Sequence, residues 1–194
     1  MLDPLLHAIL ANLEHTHPYV KRNAVMCVYS IYMSYGDELI PDAPTRIEEL
    51  LRKESDLSTR RNALLLLFEA DQETALRYID EVMIGDEESA MFNASADILQ
   101  LAVLSELKKV CKSNPLEKGK YMKVIYTLAN TSKSQSVLFE CASTIIQLTS
   151  LPNAIKRALE TYIRLINDQS ADNNIKLIVL DKLMEVKHNF PRLL

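Results

Sequence analysis

The sequence predicts an all-α protein built of stacked antiparallel helix pairs, and three observations carry that prediction. Gly is scarce, with three in 194 residues, while Leu, Ala, Glu and Lys are plentiful; this composition favours helices over turn-rich strands. Apolar residues recur at helical spacing along almost every segment. The face formed by Val20, Ala24, Val28 and Ile31 returns four more times: Thr59, Ala63, Leu67 and Ala70; Leu99, Val103, Leu107 and Val110; Leu138, Ala142, Ile146 and Thr149; Ile175, Val179, Leu183 and Val186. The second column falls at 24, 63, 103, 142 and 179, in steps of 39, 40, 39 and 37. A period near 40 with helical periodicity inside each unit is the mark of an α-solenoid of HEAT or armadillo-like repeats, here about five.

The first pair is expected as a helix over about 3–14, presenting Leu5, Leu6, Ile9, Leu10 and Leu13, then a second helix opened by Pro18 and stopped at Gly36. Asp42 and Asp56 are the expected caps of the third and fourth helices. The fourth contains Leu64-Leu65-Leu66-Leu67-Phe68, apolar nearly all round, as a helix covered on several sides would be. Asp71 caps the fifth, with Leu76, Ile79, Val82 and Met83 on its inner face. The acidic, aperiodic stretch from Gly85 through Asp86, Glu87 and Glu88 to Asn93 reads as an exposed loop, and a helix over about 96–112 restores the repeat.

In the fourth unit, Asn114-Pro115-Leu116-Glu117 reads as a capping box with Asn at the N-cap, Pro at N1 and Glu at N3. Tyr121, Val124, Ile125 and Leu128 follow as the buried face, and Ser134 or Ser136 starts the partner helix. Pro152 opens the first helix of the fifth unit and Asp172 caps the last. Five antiparallel pairs in a right-handed stack are therefore expected over residues 1–194, as one solenoid segment. Both end helices keep rows of apolar residues where a terminal repeat would turn a polar face outward, so the chain reads as an excerpt of a longer array.

The remaining composition restricts function. A net charge of -4 offers no general field for nucleic acid. The longest apolar runs fall far short of the roughly 20 residues that span a bilayer, and Met1-Leu2-Asp3-Pro4 shows no basic leader pattern and no acylation glycine, so membrane contact is expected to be peripheral. Cys27, Cys111 and Cys141 lie in helices without CxxC spacing, as buried thiols of a reducing, intracellular compartment would. There is no phosphate-binding glycine loop, serine elbow or cysteine–histidine pairing, which points away from an enzyme, and no cofactor is expected. His15 and His17 flank Thr16, but the sequence places no third ligand beside them, so capping is favoured over metal binding. The tyrosines, among them Tyr29, Tyr32, Tyr121, Tyr126 and Tyr162, read as packing residues, and Lys118, Lys120 and Lys123 as a solvated face.

The polar feature that stands out is the doublet Lys21-Arg22, which recurs one unit later as Arg60-Arg61, each followed by Asn and Ala. As a stripe it would face an acidic partner or anionic lipid, and these four residues are the partner-binding candidates. The competing and favoured reading is structural: such side chains bridge adjacent repeats, and the later units lack the doublet.

Several stretches together resemble a known family end to end. His17-Pro-Tyr-Val-Lys-Arg-Asn-Ala-Val, Leu39-Ile-Pro-Asp-Ala-Pro, Arg61-Asn-Ala with Ala70-Asp-Gln, Asp97-Ile-Leu-Gln-Leu, Ala154-Ile-Lys and Asp172-Asn-Asn-Ile-Lys-Leu-Ile-Val-Leu-Asp are similar to the coatomer beta-subunit family, whose trunk is adaptin-like. The beta chains of clathrin adaptors share only the Pro-Tyr-Val-basic element. The acidic stretch around Asp86 to Glu88 departs from the family by its length. The resemblance implies a fragment of the N-terminal trunk of a vesicle-coat scaffold in Golgi–endoplasmic reticulum transport. That scaffold pairs with a delta subunit, joins a gamma–zeta pair and is recruited to Golgi membranes from the cytoplasm by an Arf-family small GTPase. The alternatives are a clathrin adaptor beta chain or a nuclear transport receptor; the latter would carry an Asn and Trp ladder, whereas Asn23 and Asn62 stop after two units and Trp is absent.

Overall fold

A computed structural model describes residues 2–84 and 97–191. Ten α-helices and no strand occur among the described residues: α1 (Leu2–Ala11), α2 (Pro18–Tyr35), α3 (Ala43–Lys53), α4 (Leu57–Ala70), α5 (Gln72–Ile84), α6 (Asp97–Ser113), α7 (Lys118–Thr131), α8 (Gln135–Leu148), α9 (Pro152–Asn167) and α10 (Asn173–Asn189). Single 3₁₀ turns, Asn12–Glu14 and Gly36–Glu38, follow α1 and α2. The protein is all-α, as its composition and periodicity predict. The acidic stretch read as a loop lies outside the described residues.

The chain divides into two compact units, Met1–Ala102 and Val103–Leu194. In the first, α3 packs most extensively on α4, and α4 also receives α2 and α5. Three residues separate α3 from α4 and one separates α4 from α5, so the chain must reverse at each junction and place neighbours antiparallel. Contacts on three sides explain the near-continuous apolar run of α4, where Ala63, Leu64, Leu66 and Leu67 are fully buried. In the second unit α8 packs most extensively on α9 and also contacts α7, while α9 carries α10. Ile155, Leu159 and Val186 form a cluster there, joined by Ile146, Leu183 and Phe190.

Local chemistry sets most helix ends. His17 caps α2 by accepting from the Tyr19 N–H, and Pro18 occupies the first turn, where a missing donor costs nothing. The C-cap Gly36 has φ 63°, a backbone conformation that only glycine adopts without strain. Asp56, Asp71 and Ser134 accept from the backbone N–H three residues on, at 2.8, 3.1 and 3.4 Å.

Some caps differ from expectation. Asp42 stands at the N-cap of α3 but makes no cap bond; its carboxylate is engaged by Arg46 Nε at 2.6 Å, one helical turn ahead. Asp172 likewise makes no cap bond and accepts from the Asn174 side-chain amide at 3.2 Å. The capping box at Asn114 is also corrected. Asn114 Oδ1 accepts from the Leu116 N–H at 3.3 Å, closing a turn, so α7 begins only at Lys118. Glu117 is turned to the Tyr121 hydroxyl at 3.1 Å instead of reaching back to Asn114. On α5 the inner face is Ala75, Tyr78, Ile79 and Val82, with Leu76 only half-buried at its margin.

Candidate functional site

The first basic doublet meets the α3–α4 junction, whereas the second, on α4, is held by other partners. Lys21, on α2, forms an ion pair with Glu54, whose side chain is 3% exposed. Glu54 also accepts the N–H groups of Ser55 and Asp56 at 2.9 and 2.8 Å. Burial opposes ionisation of Glu54, but the Asp56 N–H and the Lys21 ammonium outweigh it and hold the carboxyl below its usual range. Arg22 Nη2 reaches Asp56 at 3.3 Å, and Asp56 at the same time accepts the Thr59 hydroxyl at 2.7 Å. The Thr59 hydroxyl and N–H, together with Arg22, lower the Asp56 pKa.

Arg60 is buried, 8% exposed, with a side-chain hydroxyl as its partner: Nη2 donates to Tyr78 on α5. Its Nε has no hydrogen-bond partner, and the same is true of Arg22 Nε. Arg61 donates to Asn62 Oδ1 at 3.1 Å and is half-buried. Lys21, Arg22 and Arg60 thus tie α2, α4 and α5 together, while Arg61 holds no carboxylate among the described residues. Tyr78, which the sequence gives no reason to single out, is the residue that organises Arg60.

Bridges of this type recur in the second unit between residues 30 to 35 apart. Lys108 reaches Glu140, 32 residues on, at 3.5 Å; Gln135 reaches Asp168, 33 residues on, at 2.9 Å. Arg164 Nη2 donates to the Ala129 carbonyl at 2.5 Å across 35 residues, and Lys118 donates to the Leu148 carbonyl across 30. The last two satisfy carbonyls in the final turns of α7 and α8, which lack intrahelical donors. Lys118 therefore leaves the solvated face assigned to it, whereas Lys123 stays exposed.

A second polar constellation lies between α7 and α9. The Arg157 guanidinium stacks over the Tyr126 ring, 5.0 Å from its centroid. Burial pushes the Tyr126 hydroxyl upward against the opposing charge of Arg157. Cavities of about 410 and 370 Å³ share these two residues as lining. A third, of about 420 Å³, lies over Leu10, Leu13 and Leu50 and is rimmed by Lys21, Arg46 and Glu54.

His15 and His17 act as turn and cap acceptors: His15 Nδ1 receives the His17 N–H at 2.9 Å, and His17 Nδ1 the Tyr19 N–H at 3.2 Å. No group of three or more His, Cys, Asp or Glu side chains is placed to hold a metal among the described residues, and no helix there is long and apolar enough to cross a membrane. Cys111 and Cys141 are buried, but Cys27 is exposed, against expectation: Val25 and Val28 face inward and leave position 27 turned away.

The chain belongs to a defined class: it is a member of the family described as the adaptin N terminal region, which it matches over residues 1–194. Among individual proteins it is similar to coatomer subunit beta-2 of Arabidopsis thaliana, 44% identical over 188 residues, 96% of this chain and 19% of the relative. It is also similar to coatomer subunit beta of Dictyostelium discoideum, 43% identical over 194 residues, 100% of this chain and 20% of the relative. Coatomer subunit beta of Sus scrofa is 45% identical over 189 residues, 97% and 19%. The chain spans about one fifth of the length of these relatives.

Proposed function

We propose that this chain is a structural segment of a coatomer-type vesicle coat. The observation that carries the reading is identity of 43 to 45% to coatomer beta subunits across essentially the whole chain. The bridges between helix pairs support it, since they suit a scaffold that transmits position. Residues 1–194 then act as one solenoid segment of a longer trunk. The trunk holds delta and gamma–zeta subunits and a GTP-loaded Arf-family GTPase, peripheral to Golgi membranes in Golgi–endoplasmic reticulum transport, and performs no chemistry of its own.

Within the two doublets, Arg61 is the member open to a partner's carboxylate, because Lys21, Arg22 and Arg60 are engaged by Glu54, Asp56 and Tyr78. The test is affinity capture on the full-length protein carrying this segment. Recovery of the other coat subunits, reduced when the segment is replaced by an unrelated helical array, is expected. Recovery of clathrin adaptor subunits or nuclear-import cargo in their place would overturn the reading.

A further inference from the structure

Four arginines of the first unit are held by carboxylates: Arg22 by Asp56, Arg46 by Asp42, Arg52 by Glu48 and Glu81, Arg77 by Glu48; Arg60 and Arg61 donate to Tyr78 and Asn62. Arg157 and Arg164 on α9 also lack a carboxylate among the described residues, although Glu160 lies three residues from one and four from the other, within reach on a helix surface. Arg157 instead lies over Tyr126, and Arg164 is anchored to the Ala129 carbonyl. The Arg157 guanidinium makes no hydrogen bond or ion pair among the described residues, so its N–H donors are open to a carboxylate in two parallel hydrogen bonds.

Cavities open on both sides of the Tyr126–Arg157 stack. The one at the start of α9 is lined by Leu151, Pro152, Asn153 and Ala154, with Leu151 67% exposed. The other is lined by Ala129, Asn130, Ile145, Thr161 and Arg164. Leu151 and Pro152 give the first an apolar wall, the second is mostly polar, and Arg157 lines both. Lys123 and Lys156 line neither cavity, and Glu160 on the second cavity's rim adds one negative charge. That mixture suits a singly charged carboxylate beside an apolar side chain. It is poorer for a phosphate, whose second negative charge adds to the repulsion from Glu160 that any anion meets, and which gains nothing from the apolar wall.

We propose that the cleft between α7 and α9 docks an extended acidic peptide of a partner protein, with one Asp or Glu carboxylate on the edge of Arg157 and a neighbouring apolar side chain against Leu151 and Pro152. The inference is independent of coat membership, since it rests only on the side chains of this cleft. Tyr126 orients Arg157 by stacking, and Arg164 fixes α9 against the last turn of α7, so the cleft is formed before the peptide arrives and little ordering cost remains.

Binding of a fluorescein-labelled peptide alternating Asp and Glu with Leu, measured by anisotropy on the full chain, tests the proposal. Its Asn/Gln isostere, inorganic phosphate and phosphatidylserine vesicles serve as competitors. Expected are saturable binding of the acidic peptide, loss of about tenfold or more in Arg157→Gln and a smaller loss in Arg157→Lys, which keeps charge but not the fork. Lys176→Gln, on α10, should bind as the parent does. Circular dichroism checks that each variant folds. No binding, equal binding of the isostere, undiminished binding by Arg157→Gln, or displacement by phosphate or vesicles at concentrations where the isostere is inert would each overturn it.

Discussion

Glu54, at the C-terminal end of α3, receives Lys21 from α2 while its other contacts are the N–H groups that open α4. One carboxylate therefore joins three helices, and with its side chain 3% exposed it has little water to fall back on. Removing it strands a half-buried ammonium and two N–H groups. Glu54→Ala is expected to cost about 2–4 kcal/mol, against about 1 kcal/mol for the more exposed Lys21→Met, read from urea midpoints. Equal, small effects would show that the junction does not depend on Glu54.

The pH dependence has a definite sign. Glu54, Asp56 and Asp71 all have folded pKa values below their free values: burial of Glu54 is outweighed by the Asp56 N–H and Lys21, while the Thr59 and Thr74 side chains hold Asp56 and Asp71 down. A depressed carboxyl contributes stability above its unfolded pKa, about 4, and loses it as pH falls through the lower folded value. Urea stability should be flat from pH 7 to about 5 and fall below that. Asp71→Asn should be less steep than the parent in the acid range. Rising stability on acidification would contradict these assignments.

Arg60 and Tyr78 form a pair whose two halves should behave differently. Tyr78→Phe leaves a buried guanidinium without its acceptor and is expected to cost about 1–3 kcal/mol. Arg60→Met in the Tyr78→Phe background removes the charge along with its need, and is expected to recover much of that loss. A double-mutant cycle with no coupling would remove the pair from the account.

Ala63 and Ala142 are fully buried at equivalent places two repeats apart, so a larger side chain there would have to displace packed neighbours. Ala142→Leu should destabilise by about 1–3 kcal/mol through overpacking. Ser136→Leu, exposed on the same helix, should change little. Comparable effects at the two positions would show that the second column is not the tight one.

Thiol reactivity should separate the cysteines. Exposed Cys27 is expected to react with iodoacetamide in the native protein, whereas Cys111 and Cys141 react only after unfolding. Burial pushes the Cys141 thiol to about 12, with Glu140 reinforcing it, so in the folded protein it carries almost no thiolate at neutral pH. Peptide mass mapping before and after urea provides the readout, and native labelling of Cys141 would contradict its placement.

Helix positions and the 40-residue period were legible in the sequence because both are local properties. Periodicity within about 15 residues marks a face, Pro18 and Gly36 mark ends, and the repeated column at 24, 63, 103, 142 and 179 is buried at every position. Where a local signal has two possible outlets, it failed. Asp42 and Asp172 could cap a helix or bind a neighbouring side chain, and Arg46 and Asn174 took them. Asn114 could cap or close a turn, and it closed a turn.

The sequence by itself determined that this chain is helical, that its helices come in repeating pairs and which face of each helix is apolar. The packed structure alone decided which polar groups meet: Lys21 with Glu54, Arg60 with Tyr78, Arg157 with Tyr126. The reason is range. A helix face is set by hydrogen bonds four residues apart, whereas a side chain finds a partner 18 to 35 residues away only after two helices have packed at a particular angle and register, and many carboxylates, hydroxyls and carbonyls are compatible with the same sequence until they do.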